Sequence, residues 1–247
     1  MHTVIVTGAS RGLGEAVVRD LSRRGAAVVA TARSTDALAA IADELDNAVA
    51  LAGDISSDAH RRALVETTLQ RFGRIDALVN NAAVLEPIAR SAGAEADDWA
   101  AHLDVNVVAP VHLTALALPA LRETHGRVIN ISSGAATRVL EGWGAYCTAK
   151  AALKMATEVL AAEEPDITAI SLRPGVVDTA MQRTIREEGR AVMDEAGHDR
   201  FLRLHTEGEL LDPAVPGAAI AALALHAPAS MSGEFLSWDD PSVQALP

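Results

Sequence analysis

The sequence predicts an α/β fold built on one doubly wound parallel sheet of about seven strands, with helices on both faces. Short runs rich in Val and Ile alternate along the chain with longer runs rich in Ala and Leu. The short runs are apolar throughout, which is typical of strands buried on both faces. Because short connections between such strands and helices imply right-handed crossovers, the alternation favours a doubly wound sheet.

Each element is assigned from this rhythm. Strands are expected at residues 3–7, 27–31, 48–52, 77–80, 128–132 and 168–172, with a last one near 234–237. Helices are expected at residues 14–24, 36–45, 58–72, 104–122, 145–163 and 213–226. Gly25 is placed as a helix C-cap, and Asp36 and either Ser57 or Asp58 as N-caps. Since no repeat or linker interrupts the pattern, we expect residues 1–247 to form a single domain.

One segment departs from this rhythm. Residues 179–211 are polar, helical in composition and longer than a usual connection. They follow the strand predicted at 168–172, and ligands in α/β sheets bind beyond the carboxyl ends of strands. We therefore expect a substrate lid at 179–211, with a solvated helical insertion as the alternative.

Composition excludes several classes of function. The chain has 247 residues, of which 49% are hydrophobic. Its formal net charge of −12 disfavours nucleic acid and anionic membrane surfaces as partners. A single cysteine, Cys147, excludes an intrachain disulfide and any multi-cysteine metal site, and no metal is expected. No signal peptide is visible, and the most apolar stretch, 105–121, is broken by polar and proline residues. We expect a cytoplasmic protein with a small-molecule substrate.

The first motif is a glycine-rich turn between the first strand and the first helix. It reads TGASRGLG at residues 7–14. Glycine allows a tight turn and a close approach to backbone amides, and a helix N-terminus attracts phosphate. The candidate cofactor-binding residues of this turn are Gly8, Ser10, Arg11, Gly12, Leu13 and Gly14.

The second motif pairs a tyrosine with a lysine. Tyr146 and Lys150 are four residues apart in a predicted helix, so their side chains share one face. A free tyrosine has a pKa of about 10, and a nearby ammonium favours the phenolate. We expect Lys150 to lower the pKa of Tyr146, and Tyr146 to exchange a proton with a substrate oxygen.

Five ordered motifs between Thr7 and Gly175 together resemble the short-chain dehydrogenase/reductase family. Besides the glycine turn and the Tyr146–Lys150 pair, they are NNAA at 80–83, with Ala83 in place of the usual glycine, Ser133 and the Arg173-Pro174-Gly175 segment. The resemblance implies a Rossmann-type sheet. Its catalytic tetrad falls on Asn106, Ser133, Tyr146 and Lys150.

The resemblance also assigns roles to residues whose chemistry alone is not diagnostic. Ser133, thirteen residues before Tyr146, matches a hydrogen-bond donor to the substrate oxygen, with Ser132 as the other candidate. Asn106 matches a residue that bends its helix and holds a water linking Lys150 to solvent. Lys150 matches a residue that also binds the nicotinamide ribose. Further cofactor contacts are implied for Asp54, Ile55, Asn81, Ala82, Pro174, Gly175, Val177 and Thr179.

The end of the second predicted strand indicates which nicotinamide cofactor binds. Enzymes that use NAD commonly place Asp or Glu there for the ribose 2′-hydroxyl, but this chain has Ala32 followed by Arg33. A guanidinium can bind a 2′-phosphate bidentately, and Arg11 supplies a second cation. We therefore expect NADP(H).

The substrate is expected to be a ketone or 1,2-diketone. Trp143, Leu140 and Met181 are the candidate pocket residues. The sequence around Tyr146 is similar to the sepiapterin reductase and benzil reductase branch of the family. Ser237 aligns with the aspartate that grips the pterin in sepiapterin reductases, whereas Asp239 and Asp240 follow two and three residues later.

Three alternatives stay open: a pterin reductase, an NADP-dependent alcohol dehydrogenase, and a protein that binds NADP as a sensor without catalysis. The helices predicted at 104–122 and 145–163 are apolar over much of their faces, which fits a dimer interface and burial against the sheet equally well. The resemblance implies a homodimer or homotetramer.

Overall fold

The computed structural model describes residues 1–247 and contains one seven-stranded parallel sheet. The strands are β1 (Thr3–Thr7), β2 (Ala27–Ala32), β3 (Ala48–Ala52), β4 (Ala77–Asn80), β5 (Arg127–Ile131), β6 (Thr168–Arg173) and β7 (Phe235–Ser237). Their order across the sheet is β3-β2-β1-β4-β5-β6-β7. The predicted single-domain, doubly wound α/β fold is therefore confirmed.

Ten α-helices surround the sheet. They are α1 (Gly12–Arg23), α2 (Thr35–Asp43), α3 (Asp58–Phe72), α4 (Ala96–Leu103), α5 (Ala109–Thr124), α6 (Gly144–Glu163), α7 (Ala180–Glu188), α8 (Glu195–Thr206), α9 (Ala214–His226) and α10 (Pro241–Gln244). Between α4 and α5 the chain continues as a π-helix over Asp104–Val108. Short 3₁₀ turns occupy Ser91–Gly93, Gly134–Ala136, Gly189–Ala191 and Ala229–Met231.

The sheet is buried on both faces, as its continuously apolar strands predict. Successive residues of a strand point to opposite faces. Val4 and Val6 pack with α1 and α9 on one side, and Ile5 packs with α3 and α5 on the other. A third, smaller cluster lies beyond the carboxyl ends of β5 and β6 and contains residues of α6, α7 and α8.

Several predicted boundaries are wrong by one to three residues. The first helix begins at Gly12 rather than at residue 14, because the glycine turn itself supplies the first helical turn. The second begins at Thr35 with Ser34 as its N-cap, so the cap assigned to Asp36 is wrong. Ser57, not Asp58, caps α3, and its side chain accepts from the backbone NH of His60. Gly25 lies one position beyond the C-cap, at φ +78°.

The helix predicted at 104–122 is the largest difference. It is preceded by α4, which was not predicted, and its first five residues form the π-helix around Asn106. By length and composition alone, the continuous run Ala96–Thr124 could cross a membrane. In the structure, however, α4 packs against α6 and α5 packs against α3, and Leu113 and Leu121 are fully buried. One side of this run is therefore packed against the fold.

Candidate active site

A deep cleft opens at the carboxyl edge of the sheet, where the strand order changes direction between β1 and β4. Ligands of open α/β sheets bind at such switch points. The cleft has a volume of about 1060 Å³, at the upper end of the range usual for small-molecule sites. The glycine turn lines one end of the cleft, and residues of α7 and α8 line the other.

The glycine turn has a shape that only glycine allows at two positions. Gly8 and Gly12 have φ of +66° and +55°, a region that other residues rarely adopt. A Cβ at Gly14 would lie 2.2 Å from the carbonyl oxygen of Gly8. The turn therefore presents bare backbone at the start of α1, which is the cradle a dinucleotide pyrophosphate requires.

Asn81 and Thr7 lock this turn to the neighbouring strand. The Asn81 side-chain amide donates to the carbonyl oxygens of Thr7 (2.9 Å) and Gly8 (3.2 Å). The Thr7 hydroxyl oxygen accepts from the backbone NH groups of Asn81 and Ala82, both at 3.0 Å. The Asn-Asn-Ala-Ala segment at the end of β4 thus fixes the shape of the glycine turn that follows the neighbouring strand β1.

The end of β2 lines the same cleft with cations. Arg11, Ala32 and Arg33 all line it, so no carboxylate stands at the end of β2. Asp54 lies nearby, but its Oδ1 accepts from the backbone NH (2.9 Å) and hydroxyl (2.8 Å) of Ser56. These hydrogen bonds, and more weakly Arg33, lower the pKa of Asp54. One oxygen of the Asp54 carboxylate is therefore already occupied by hydrogen bonds within the turn at residues 54–56.

Tyr146 and Lys150 lie together on α6 and are almost completely buried at the floor of the cleft. The Lys150 Nζ is 5.5 Å from the centroid of the Tyr146 ring and donates to the carbonyl oxygen of Ile131 at 2.8 Å. Burial lowers the pKa of Lys150 to about 8. The i and i+4 spacing thus brings a phenol and an ammonium to one face, as predicted.

The prediction that Lys150 lowers the pKa of Tyr146 is wrong for the protein without cofactor. Burial raises the pKa of Tyr146 to about 12, although the nearby Ser133 hydroxyl lowers it. The reason is that Lys150 lies over the ring and is directed to a backbone carbonyl, while the phenol loses its hydration. Tyr146 is consequently protonated at neutral pH.

The two candidate serines differ in their surroundings. The Ser133 oxygen accepts from the backbone NH of Ala135 at 3.2 Å and is close enough to Tyr146 to affect its pKa. Ser132 also lines the cleft, but its hydroxyl is buried without a hydrogen-bond partner. The geometry therefore pairs Ser133, rather than Ser132, with Tyr146.

Asn106 lies behind the cleft, in the π-helix, and does not line it. Its Oδ1 accepts from the backbone NH of Val84 (3.2 Å), and its Nδ2 donates to the Val84 carbonyl (3.0 Å). The Nδ2 also lies 3.1 Å from Nε2 of His102. Asn106 therefore attaches the helix to the chain leaving β4.

His102 is a site residue that the sequence reasoning missed. It is buried, its ring centroid lies 6.1 Å from that of Tyr146, and its Nδ1 is 2.6 Å from the carbonyl oxygen of Glu86. Burial chiefly lowers the pKa of His102, and the Lys150 ammonium lowers it further. A neutral ring that donates from Nδ1 leaves Nε2 to accept from Asn106. The signal available in the sequence was the spacing of four between His102 and Asn106.

Aromatic side chains form the far wall of the cleft. The Trp143 ring meets the Tyr146 ring edge-on at a centroid distance of 5.8 Å. Phe201 of α8 stacks on the other side of Trp143 at 5.4 Å. Leu140 and Met181 pack against the same cluster. Phe201 was not predicted, because nothing in the sequence alone links α8 to Trp143.

The structure brings nearly all the predicted site residues to one cleft. The residues that line it are Gly8, Ser10, Arg11, Gly12, Leu13, Gly14, Arg33, Asp54, Ile55, Asn81, Ala82, Ser133, Leu140, Trp143, Tyr146, Lys150, Pro174, Gly175, Val177, Thr179 and Met181. Asn106 is the exception, since it supports the site from behind. The arrangement offers a phosphate cradle, a protonated phenol and an apolar wall within one cavity.

Comparison with known proteins gives consistent matches. The family model described as short chain dehydrogenase matches residues 2–190. A benzil reductase ((S)-benzoin forming) of Saccharomyces cerevisiae is 36% identical, over 96% of this chain and 95% of that protein. A sepiapterin reductase of Meriones unguiculatus is 35% identical, over 84% and 85% of the two chains. The crystal structure of a short chain dehydrogenase/reductase from S. cerevisiae superposes with a TM-score of 0.97 at 36% identity, covering 100% of both chains.

Proposed function

The chain belongs to the short-chain dehydrogenase family of oxidoreductases, and on that premise we propose that it is an NADPH-dependent carbonyl reductase acting on ketones or 1,2-diketones. The observation that carries the proposal is the buried, protonated Tyr146 beside Lys150 in the cleft that the glycine turn enters. The likeness to benzil reductases supports a dicarbonyl substrate.

Members of this family use a nicotinamide cofactor, and the residues at the carboxyl edge of the sheet fit one. The glycine turn would hold the pyrophosphate, since a Cβ at Gly14 would close the cradle. Asp54 and Ile55 line the cleft where the adenine would lie, and Asn81, Ala82, Pro174, Gly175, Val177 and Thr179 line the path toward Tyr146. When bound, a dihydronicotinamide supplies the hydride that carbonyl reduction requires.

The preference for NADPH is inferred from charge. Arg11 in the glycine turn and Arg33 after β2 both line the cleft, and neither forms a salt bridge with a protein carboxylate. Two free guanidinium groups would attract a 2′-phosphate, while Ala32 leaves no carboxylate to repel it.

Tyr146 would donate the proton to the substrate oxygen, and Ser133 would hydrogen-bond that oxygen. A pKa of about 12 keeps the phenol protonated at neutral pH, which is the state that reduction of a carbonyl needs. Oxidation of an alcohol needs the phenolate instead. The protonated phenol therefore supports the assignment of Tyr146 as the proton donor in carbonyl reduction.

Lys150 and Asn106 would support the proton transfer. Lys150 would bind the nicotinamide ribose and hold positive charge beside the phenol. Asn106 keeps the π-helix attached at Val84, and this conformation positions the helix next to α6. We also propose that a water held by Asn106 connects Lys150 to solvent.

Residues 179–211 would form a lid over the substrate. They contain α7 and α8, which contribute Met181 and Phe201 to the aromatic wall around Trp143. Leu140 lies on the same wall. An apolar, aromatic wall fits an aryl ketone or aryl diketone.

A pterin substrate is the weaker alternative. Ser237 lines the cleft, but Asp239 and Asp240 do not. The Asp240 carboxylate instead accepts from the backbone NH of Ser237 at 2.5 Å. The C-terminal segment therefore offers no free carboxylate for a pterin ring. A sensor of NADP without catalysis would need neither Tyr146 nor Lys150, yet both are present and adjacent.

We further propose that the protein is a cytoplasmic homo-oligomer, a dimer or tetramer. Val108 and Val111 of the 104–124 helical run are about half exposed, as are Met155 and Val159 of α6. These side chains form apolar ridges on neighbouring helices that a second copy could cover.

A carbonyl panel tests the function. Benzil, other 1,2-diketones and aryl ketones are incubated with NADPH or NADH, and absorbance of the reduced nicotinamide is followed. We expect turnover of at least one diketone with NADPH, and a chiral hydroxyketone as product. The Tyr146→Phe variant should lose nearly all turnover while still binding cofactor. No oxidation of either cofactor across the panel would contradict the proposal.

A further inference from the structure

The cleft is strongly cationic although the protein carries a net charge of −12. Eight cationic side chains and two carboxylates line it. The cations are Arg11, Arg33, Arg138, Lys150, Arg173, Arg183, Arg186 and Arg200, and the carboxylates are Asp54 and Asp178. Such a concentration of one sign in a concave site raises the local concentration of an oppositely charged ligand.

The proposed cofactor accounts for only part of this charge. Arg11 lies in the glycine turn and Arg33 follows β2, and both would serve the 2′-phosphate proposed above. Four other arginines belong to the substrate end, on the loop after β5 and on the two lid helices: Arg138, Arg183, Arg186 and Arg200. None of the four forms a salt bridge with a carboxylate of this chain. Their charge is therefore available to a ligand.

Two side chains on α7 line the cleft and carry unpaired polar atoms. Gln182 and Arg186 are four residues apart on one face of the helix, and both line the cleft. The Oε1 of Gln182 and the Nη1 of Arg186 are each buried without a hydrogen-bond partner. A buried polar atom left unpaired costs about 1–3 kcal/mol, so such atoms in a cleft are typical of groups that a ligand satisfies.

The aromatic wall offers a third unpaired group. The Nε1 of Trp143 is buried and makes no hydrogen bond, although an indole NH can only donate. Trp143 stacks with Phe201, and the guanidinium of Arg200 lies 5.6 Å from the Phe201 ring centroid. The wall therefore combines apolar ring surface with an indole NH that has no acceptor within the protein.

We propose, building on the carbonyl reductase function above, that the substrate carries a carboxylate in addition to its carbonyl, and that Arg186 is the residue that selects it. The planar guanidinium matches a carboxylate in shape and charge. The Trp143 indole NH is a second donor for the carboxylate. The unpaired Oε1 of Gln182 can only accept, so it does not contact the carboxylate itself. Arg138, Arg183 and Arg200, which are exposed at the rim, attract the anion. The substrate class is an aryl keto acid, with its ring against Trp143 and Phe201.

Matched pairs of substrates test this proposal. Phenyl keto acids with zero to three methylenes between carbonyl and carboxylate are each compared with their own methyl ester, and kcat/KM is measured for both. We expect at least one acid to exceed its ester by about tenfold to a hundredfold, the range of a charge-assisted hydrogen bond. The preference should diminish as salt concentration rises. Esters that match or exceed every acid would overturn the proposal.

Variants identify the residue responsible. Arg186→Met should lower kcat/KM for the acid by about tenfold to a hundredfold more than kcat/KM for its ester, so that the preference for the acid is lost. Arg186→Lys, which keeps the charge but not the planar fork, should retain part of the preference. Arg190→Met is the control, because Arg190 is an exposed arginine of the same lid that does not line the cleft. A wild-type preference that survives in Arg186→Met would assign the selection to another residue and refute this assignment.

A binding experiment separates this proposal from the reductase function. Calorimetry measures binding of the corresponding phenyl hydroxy acids and their methyl esters to protein saturated with NADP⁺ or NAD⁺, whichever it binds. We expect the acid to bind wild type at least about tenfold more tightly than its ester, and Arg186→Met to bind both equally. This result would support an anion subsite even if no carbonyl compound were reduced. Equal affinities in wild type would exclude the subsite even if neutral diketones were reduced.

Discussion

The Asn106 side chain makes both hydrogen bonds of a two-point contact with the backbone of Val84, accepting from its NH at 3.2 Å and donating to its carbonyl at 3.0 Å. The contact joins the π-helix to the chain leaving β4, 22 residues earlier in sequence. Asn106 is only 1% exposed. The Asn106 amide therefore supplies hydrogen-bond partners for the Val84 NH and carbonyl, which lie outside any strand or helix.

Removing this amide should destabilise the protein. Asn106→Ala leaves the Val84 NH and carbonyl unpaired, and we expect the free energy of unfolding to fall by about 2–4 kcal/mol. Urea denaturation of the cofactor-free protein measures the change. Asn106→Asp keeps the acceptor but places an oxygen against the Val84 carbonyl, so it should be at least as damaging. A loss below about 0.5 kcal/mol in both variants would show that the contact contributes little.

Burial of Lys150 should make stability depend on pH. Its folded pKa of about 8 lies below the unfolded value of about 10.4, so the unfolded chain binds more protons between these values. The contribution of Lys150 to stability therefore rises as pH increases from about 8 to 10. We expect the difference in unfolding free energy between wild type and Lys150→Met to shift in favour of wild type by about 2–3 kcal/mol over this window. The window lies mainly below the range in which Tyr146, with a raised pKa of about 12, affects stability. A difference independent of pH would contradict the lowered pKa of Lys150.

Arg33 should discriminate between the two nicotinamide cofactors. Arg33→Ala removes a cation at the proposed 2′-phosphate site, so KM for NADPH should rise by about tenfold to a hundredfold and KM for NADH should change little. Arg62→Ala is a matched control, because Arg62 is exposed on α3 and binds Asp58 outside the cleft. Equal changes for both cofactors would refute the 2′-phosphate assignment.

Gly14 should tolerate no side chain. Gly14→Ala places a Cβ 2.2 Å from the Gly8 carbonyl oxygen, which must shift the turn. We expect loss of cofactor affinity by at least about a hundredfold, measured by quenching of tryptophan fluorescence or by calorimetry. Gly93→Ala is the control, since a Cβ there meets no atom within 4 Å. Unchanged cofactor binding in Gly14→Ala would remove the glycine turn from the proposed site.

The sequence predicted the sheet better than the helices beside the site. Continuous apolar runs located all seven strands, because burial on both faces leaves little freedom in residue type. The run Ala96–Leu103 was missed because its acidic start, Asp97-Asp98, was not recognised as the first turn of a helix. The π-helix at Asp104–Val108 depends on hydrogen bonds to Val84, a contact between distant segments that local periodicity cannot indicate.

The same limit applies to the site. Spacing and residue type placed Tyr146, Lys150 and the glycine turn, because their chemistry is local. The direction of the Tyr146 pKa could not be predicted, since it depends on how completely the surrounding fold removes water from the phenol. Phe201 and Arg186 reach the cleft through the packing of α7 and α8.

The hydrogen bonds between Thr7 and Asn81 join segments 74 residues apart. A chain still emerging from the ribosome has the first strand and the glycine turn long before it has β4, so the cradle cannot take shape until that later strand pairs beside the first. Shortened fragments that end before Asn81 should therefore lack the dinucleotide pocket altogether. A cofactor could therefore bind only after β1 and β4 have paired. Because it would bind the folded chain and not the unfolded one, the cofactor would stabilise the completed fold.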